Sequence, residues 1–198
     1  MKKLFLCLIF TLAFLPAIFA SSIDNYEVTD SSEKTFGISP GVRFSVLGVE
    51  PTFALNIYNL EVETACAISS GLDGKQMGYA PSFSVAYNTN PFERGSAAVF
   101  GLEYMYLSPS YTNMLPKTFD DSIDEEVLPA VHSVSLFYKG AYNFNRVFGL
   151  LWRIRLPVVI GANAEGEFYN FNISNLAGFT ACALIGFCTT SVGVKFMF

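Results

Sequence analysis

Residues 148–160 read FGLLWRIRLPVVI, and this stretch decides the fold. Every second residue from Phe148 to Ile160 is apolar, whereas Arg153 and Arg155 both lie in the opposite phase. A period of two places alternate side chains on opposite faces of an extended strand, and a helix would instead repeat every 3.6 residues. The stretch therefore predicts a long β-strand with one apolar face and one ionic face.

The same alternation continues in both directions from this strand. The runs are 36–46, 53–57, 60–68, 79–87, 98–106, 130–138, 148–160, 169–173, 177–187 and 192–198. Ten runs suit a bacterial barrel, which has an even number of strands. We predict an all-β fold, a transmembrane antiparallel up-and-down β-barrel of 8–10 strands, with ten by this parse and eight favoured by the length of the chain.

Charged residues within the runs fall out of phase with the apolar positions. The clear cases are Arg43, Glu61, Glu63, Glu103, Lys139, Arg153, Arg155 and Lys195. A soluble barrel or sandwich would bury the apolar face, whereas a membrane barrel turns it toward lipid and encloses the charges. Run length, aromatic residues near the ends of apolar faces, and small residues on the polar face favour the membrane barrel. The eight charges are then predicted to form a network in the lumen.

The first twenty residues differ from the rest of the chain. Lys2 and Lys3 precede an apolar run, and Ala20 ends it, which is the order of a secretory signal peptide. We predict a signal peptide at 1–20, a flexible periplasmic lead-in at 21–35 and the barrel at 36–198. An uncleaved anchor and a tail-anchor helix at 176–194 are the alternatives. With 12 basic against 17 acidic residues and no basic stripe, a nucleic-acid partner is not expected.

The C-terminal run SVGVKFMF carries a resemblance to a known class. Apolar residues at alternate positions lead to a terminal aromatic residue, in the set Val192, Val194, Phe196 and Phe198. This pattern resembles the closing strand of small bacterial outer-membrane proteins such as the OmpA-, OmpX- and OmpW-like barrels. The resemblance implies an outer-membrane location, recognition of this strand by the barrel assembly machinery, and the lipid bilayer as a partner. It covers 36–198 and matches no particular family residue by residue.

The sequence leaves the role of the lumen open. The charges could form a packed network that plugs the barrel, a narrow conduit with a basic excess, or part of a tunnel for hydrophobic ligands. A structural or surface-interaction role is our first prediction, and restricted passage of solutes or hydrophobic ligands is the second. The irregular acidic stretch 108–126 is predicted to lie outside the cell, where it could bind an extracellular ligand.

Catalysis is not expected from this sequence. His132, the single histidine, falls in the apolar phase near a strand end, which indicates a rim residue and not a general base. The acidic residues of 120–126 lack the turn glycine and ligand spacing of a loop-type calcium site. The three cysteines beyond the signal peptide, Cys66, Cys182 and Cys188, show no metal or disulfide spacing. We therefore predict no enzyme activity, no metal and no cofactor.

Overall fold

The computed structural model describes residues 35–46, 48–70, 77–117, 129–145, 147–164 and 167–198. Within these residues it contains nine β-strands and two α-helices. The strands are β1 (Phe36–Ser45), β2 (Val49–Ile57), β3 (Leu60–Ser70), β4 (Met77–Asn88), β5 (Gly95–Leu107), β6 (Val131–Asn143), β7 (Phe148–Ala164), β8 (Glu167–Asn172) and β9 (Ser191–Phe196). The helices are α1 (Pro109–Lys117), between β5 and β6, and α2 (Leu176–Thr189), between β8 and β9.

The strands form a closed antiparallel barrel. Neighbours in the chain pair from β1 to β7, and β9 completes the ring by pairing with both β1 and β7. The barrel has eight strands, because β8 pairs only with Val159–Ala164 of β7 and is not a member of the ring. The predicted all-β barrel is confirmed.

Side chains on the ring strands alternate between the two sides of this wall, with one interruption in β7. Along β4, exposed and buried residues follow one another from Met77 to Asn88. Tyr79, Phe83 and Tyr87 point outward, whereas Ser82 and Ser84 point into the lumen. Small inward side chains leave room in the narrow interior of an eight-stranded barrel for a few long ones.

The two ends of the barrel differ. One end has short connections, including the two-residue turn Tyr58–Asn59, in which Tyr58 takes a φ of 52°. The chain terminus lies at this end, where the backbone of Phe198 exchanges two hydrogen bonds with that of Ile38. The other end carries α1 and α2, which lie in two long connections, residues 108–130 between β5 and β6 and residues 165–190 between β7 and β9.

The parse into ten strands was wrong at 177–187, which is helical. Asn175 caps α2 by accepting a hydrogen bond of 2.7 Å from the backbone N–H of Gly178. Cys182 and Ile185 are buried, whereas Phe179 and Leu184 are exposed, which is a helical period. Both faces of α2 are apolar, so hydrophobicity alone does not reveal that period. No described helix is both long and apolar enough to span a membrane.

A bulge in β7 corrects a second expectation. Pro157 pairs with Ser135 and Val159 pairs with Val134, so Val158 is an extra residue on this strand. A single inserted residue moves every later side chain to the other face. Ile160 was expected on the outward apolar face, but it is buried in the lumen.

The stretch 108–126, expected to be irregular, begins with helix α1. Ser108 starts the helix: its hydroxyl accepts from the N–H of Tyr111, and its carbonyl accepts from the N–H of Thr112. Proline at the first helical position suits this start, because its missing N–H would have no helical partner there. Residues 118–126, and the signal peptide predicted at 1–20 with most of the lead-in at 21–35, lie outside the described residues.

Candidate lumen charge network

The structure places all eight sequence-predicted charges in the lumen and adds a ninth. Five are cations and four are carboxylates, and each is buried. They are Arg43, Lys139, Arg153, Arg155 and Lys195, with Glu50, Glu61, Glu63 and Glu103. Each comes from an inward position of a barrel strand, so the pleat of the sheet aims all nine at the barrel axis.

Glu63 on β3 is the centre of the network. Its Oε1 lies 2.8 Å from Nη1 of Arg43 and 2.5 Å from Nη1 of Arg153. Its Oε2 accepts a hydrogen bond of 2.9 Å from Nζ of Lys139. The three cations stand on β1, β7 and β6, so one carboxylate connects strands from around the ring. Three opposite charges offset the cost of burying this carboxylate away from water.

A second group lies around Arg155. Its Nε donates to Oε2 of Glu103 at 2.6 Å, and its Nη2 donates to Oε1 of Glu50 at 2.6 Å. Glu50 in turn accepts from Nε of Arg43 at 2.9 Å, its direct neighbour across the β1–β2 hairpin. Arg153 joins the two groups, because its Nη2 lies 3.3 Å from Glu103. Arg43, Arg153 and the carboxylates between them thus form one continuous network.

Towards the end with short turns, the network becomes less dense. Lys139 bonds Glu61, and Oε2 of Glu61 accepts from the amide of Asn88 at 3.1 Å. The Asn88 amide also donates to Asn56 at 3.3 Å. Lys195 is buried nearby and forms no ion pair with any residue that the structure describes. The positive surplus of the lumen is therefore concentrated near Lys195.

Two arginine groups keep donors without a hydrogen-bonded acceptor among the described residues. These are Nη2 of Arg43 and Nε of Arg153. The guanidinium of Arg153 lies over the ring of Phe137, with its central carbon 3.6 Å from the ring centroid. A cation over an aromatic face is attracted by the negative face of the ring, which compensates for part of the lost hydration. Within the described parts of the chain, the centre of the lumen therefore keeps unbonded guanidinium N–H groups of Arg43 and Arg153.

The opposite end of the lumen is apolar. An apolar cluster there joins inward residues of the strands to both helices. It consists of Ala67, Ala80, Met105, Leu107, Tyr111, Val131, Ile160, Ala162, Cys182, Ile185 and Cys188. Burial raises the pKa of the Tyr111 hydroxyl, so this group stays protonated at ordinary pH. The apolar cluster and the ionic network together occupy successive levels of the lumen.

Glu50 was missed by the sequence analysis because the second run was begun at Phe53. The alternation extends further back, since Val49 and Pro51 share the outward phase of Phe53. Glu50 then falls on the inward face, opposite Arg43 in the hairpin. A charged residue immediately before proline looks like part of a turn, which is why the run seemed to start later.

The remaining sequence-predicted residues lie where their strands place them. His132 is half-buried on the outward face, where Nδ1 lies 2.6 Å from the hydroxyl of Tyr104 and the ring contacts Tyr106. Val192, Val194 and Phe196 point outward on β9, and Phe198 follows it with an exposed ring. No group of three or more His, Cys, Asp or Glu side chains in the described parts of the chain is arranged to bind a metal ion.

Comparison with known proteins gives two similar folds. No protein-family model matches the chain, and no curated protein matches it. The N-terminal β-barrel domain of Pseudomonas aeruginosa OprF is similar with a TM-score of 0.42 and 11% identity, over 82% of this chain and 96% of that chain. A major outer membrane protein from Thermus thermophilus is similar with a TM-score of 0.37 and 14% identity, over 82% of this chain and 98% of that chain.

Proposed function

We propose that this chain is an integral outer-membrane protein with a structural or surface-interaction role. Its own side chains fill the lumen of the barrel. The observation that carries the proposal is Glu63, which connects cations from three strands across the lumen. A packed network of this kind fills the interior of a small barrel. The outward surface and the end of the barrel that carries α1 then remain available for contacts with other molecules.

The membrane location is supported by the outward surface. No described outward-facing position on the eight ring strands is occupied by Asp, Glu, Lys or Arg. Large apolar side chains are exposed at mid-height, for example Leu136 at 50%, Ile154 at 49% and Leu156 at 47%. A soluble protein does not expose a continuous apolar belt of this size, whereas a barrel in lipid requires one. The ionic network inside has the opposite character, as expected for a lumen.

Export and insertion follow from the two ends of the sequence. The predicted signal peptide would direct the chain across the inner membrane. Val192, Val194, Phe196 and Phe198 would then present the closing strand to the assembly machinery. β9 must pair with β1, because an unpaired edge in hydrocarbon would leave backbone groups without hydrogen-bond partners.

The end that carries α1 would face the cell exterior. Short turns belong to the periplasmic side of such barrels and longer connections to the outer side. The stretch 108–126 would then be displayed outside, starting from α1, which is fixed to the barrel by buried Tyr111. This placement makes it the candidate site for an extracellular ligand.

Two measurements on reconstituted protein test the proposal together. A folded barrel should migrate differently on a gel before and after boiling, and the same preparation should leave a planar bilayer without conductance. A heat-dependent shift with a silent bilayer supports a closed barrel. Steady single-channel currents from that preparation would contradict the closed lumen, and the absence of any heat-dependent shift would contradict the membrane barrel.

A narrow conduit is the second candidate, and the positive surplus near Lys195 favours it. Five cations against four carboxylates would make such a conduit prefer anions. Its signature would be an anion-selective conductance that falls in Lys195→Gln and is unchanged in Arg94→Gln, a control at an exposed turn residue. A tunnel for hydrophobic ligands would instead bring such a ligand to the apolar cluster.

The surface role is tested by a deletion confined to 118–126. This deletion retains α1 and therefore keeps Tyr111 in the apolar cluster. Loss of adhesion to cells or matrix with an unchanged heat-dependent gel shift would support surface interaction. Unchanged adhesion would remove this stretch as the interacting segment.

A further inference from the structure

Helix α2 lies beside β7 at a place where the wall has no strand. β6 occupies one edge of β7 along most of its length, so β8 and β9 must share the other edge. β9 pairs there with Phe148–Arg153, and β8 pairs with Val159–Ala164. On that edge residues 154–158 pair with neither β8 nor β9. This gap is the part of the wall that α2 approaches.

The contacts of α2 show how closely it fits this gap. A Cβ atom added to Gly186 would lie 2.5 Å from the backbone oxygen of Arg155 and 3.1 Å from Cδ of Pro157. Nη1 of Arg155 donates to the backbone oxygen of Thr189, the last residue of the helix. A cation at this end is favourable because the helix dipole is negative there. The helix therefore lies directly against the edge of β7.

The strand register gives the height of the helix. Arg155 pairs with Phe137, and the next outward pair along the same strands is Leu156 with Leu136. Gly186 contacts Arg155, so the C-terminal half of α2 lies at the level of the exposed Leu136 and Leu156. Gly178 lies against Asn172 of β8. Asn172 pairs with Val159, which follows the bulge at Val158 on β7. The helix is thus beside the belt that the proposed function assigns to lipid.

The two faces of α2 have different surroundings. Cys182, Ile185 and Cys188 are buried in the apolar cluster of the lumen. The outward face exposes four large apolar side chains. They are Leu176 at 82%, Phe179 at 52%, Phe187 at 45% and Leu184 at 42%. Between Leu176 and Thr189 the helix has no charged residue.

The threonine hydroxyl groups of the helix and of Thr190, which follows it, bond to backbone oxygens of the helix. Oγ of Thr180, an exposed residue, donates to the backbone oxygen of Leu176 at 2.8 Å. Oγ of Thr190 donates to the backbone oxygen of Gly186 at 2.9 Å. In hydrocarbon a hydroxyl has no water to bond, so internal bonds of this kind suit a helix in lipid. In water they would bring no such advantage.

We infer that α2 is a segment of the barrel wall whose outward face contacts the acyl chains of the bilayer. The inference rests on the proposed membrane location and extends it from strands to a helix. The outward face of α2 continues the apolar belt at the same height, and it has no charged rim that would suit a water-facing surface. Instead of acyl chains, the outward face of α2 could meet a second copy of the chain or water, and the experiment below distinguishes these outcomes.

The test uses a single tryptophan as a probe of the surroundings. Trp152 is the one tryptophan of the chain, so Trp152→Phe provides a background without this fluorophore. Phe187→Trp in that background reports on α2, and Leu184→Trp on the same face replaces it if Phe187→Trp does not fold. Leu156→Trp serves as the lipid-facing strand control, and Tyr58→Trp at the exposed turn serves as the water control. Each variant is reconstituted in phosphatidylcholine vesicles with brominated acyl chains, and separately exposed to iodide.

The outcomes separate the inference from the proposed function. Bromolipid should reduce the fluorescence of Phe187→Trp as much as that of Leu156→Trp, and iodide should reduce neither. Quenching of Phe187→Trp by iodide alone would place α2 in water, and protection from both quenchers would place a second copy over it. Either result, with Leu156→Trp quenched by lipid, overturns the inference alone. Failure of bromolipid to quench Leu156→Trp overturns the membrane location itself.

Discussion

Nε of Arg155 on β7 lies 2.6 Å from Oε2 of Glu103 on β5, and both side chains are buried in the lumen. The same guanidinium donates to Glu50 on β2 and to the backbone oxygen of Thr189 in α2. One side chain therefore connects three strands and the helix. Its removal would leave two carboxylates with fewer cations in surroundings that exclude water.

Arg155→Met should therefore lower the free energy of unfolding by about 3–5 kcal/mol, since a buried charge that loses its partner is strongly destabilising. The measurement is urea unfolding of the reconstituted barrel, followed by the heat-dependent gel shift. Arg94→Met is the matched control, because Arg94 is exposed at a turn and its loss should change stability by no more than about 0.5 kcal/mol. Equal unfolding free energies for the two variants would contradict a structural role for the network.

The outward surface gives a second prediction. Leu156→Lys should cost about 2–4 kcal/mol in lipid vesicles, which is the cost of a cation on the lipid face of a barrel near the bilayer midplane. Tyr58→Lys should be nearly neutral, because Tyr58 is 67% exposed at the turn between β2 and β3. Unfolding titrations in vesicles of both variants provide the comparison. A neutral Leu156→Lys would mean that this face meets water.

The closing strand gives a third prediction, which concerns assembly more than stability. Phe198→Ser should reduce the amount of heat-modifiable protein in the outer membrane of expressing cells, while the purified variant still refolds in detergent. The backbone bonds between Phe198 and Ile38 do not depend on the side chain, so the folded barrel retains them. Phe100→Ser is the control, since Phe100 is an outward aromatic residue of similar exposure within β5. A similar reduction for both variants would argue against a special role for the terminal residue.

Close packing of α2 on β7 gives a fourth prediction. Gly186→Val should destabilise the barrel by about 1–3 kcal/mol, because the new side chain overlaps the backbone oxygen of Arg155. Ala183→Val lies on the exposed side of the same helix and adds similar bulk without that overlap. Unfolding free energies and protease cleavage near 172–176 should distinguish the two. Equal resistance to protease would show that the helix does not need to contact β7.

The sequence predicted the barrel because its strands have two faces of opposite character. Arg153 and Arg155 between apolar neighbours put the charges on one face of the strand, and run length, aromatic positions and small polar-face residues then indicated that this face lines the lumen. The same argument placed six other charges there. The alternation does not predict which cation pairs with which carboxylate. Which cation meets Glu63 depends on how strands are staggered around the ring, and Arg43, Lys139 and Arg153 are brought together only by closure.

Helix α2 and the bulge in β7 are two features that the alternation of apolar and polar residues does not predict. A helix with an apolar lumen on one side and an apolar outward face on the other has no polar stripe, so its period is hidden. The caps were the usable signal, since Asn175 precedes the run and bonds Gly178. The bulge at Val158 has no such signal, because Val158, Val159 and Ile160 are all apolar and any phase suits them.

The position of Glu63 also sets the order of events when the barrel forms. Its three cations come from β1, β6 and β7, so no isolated hairpin can neutralise it. A half-formed sheet entering hydrocarbon would carry bare ions on one side, at a cost of several kcal/mol for each. We therefore expect insertion and closure to proceed together, with water retained around the ions until β9 pairs with β1.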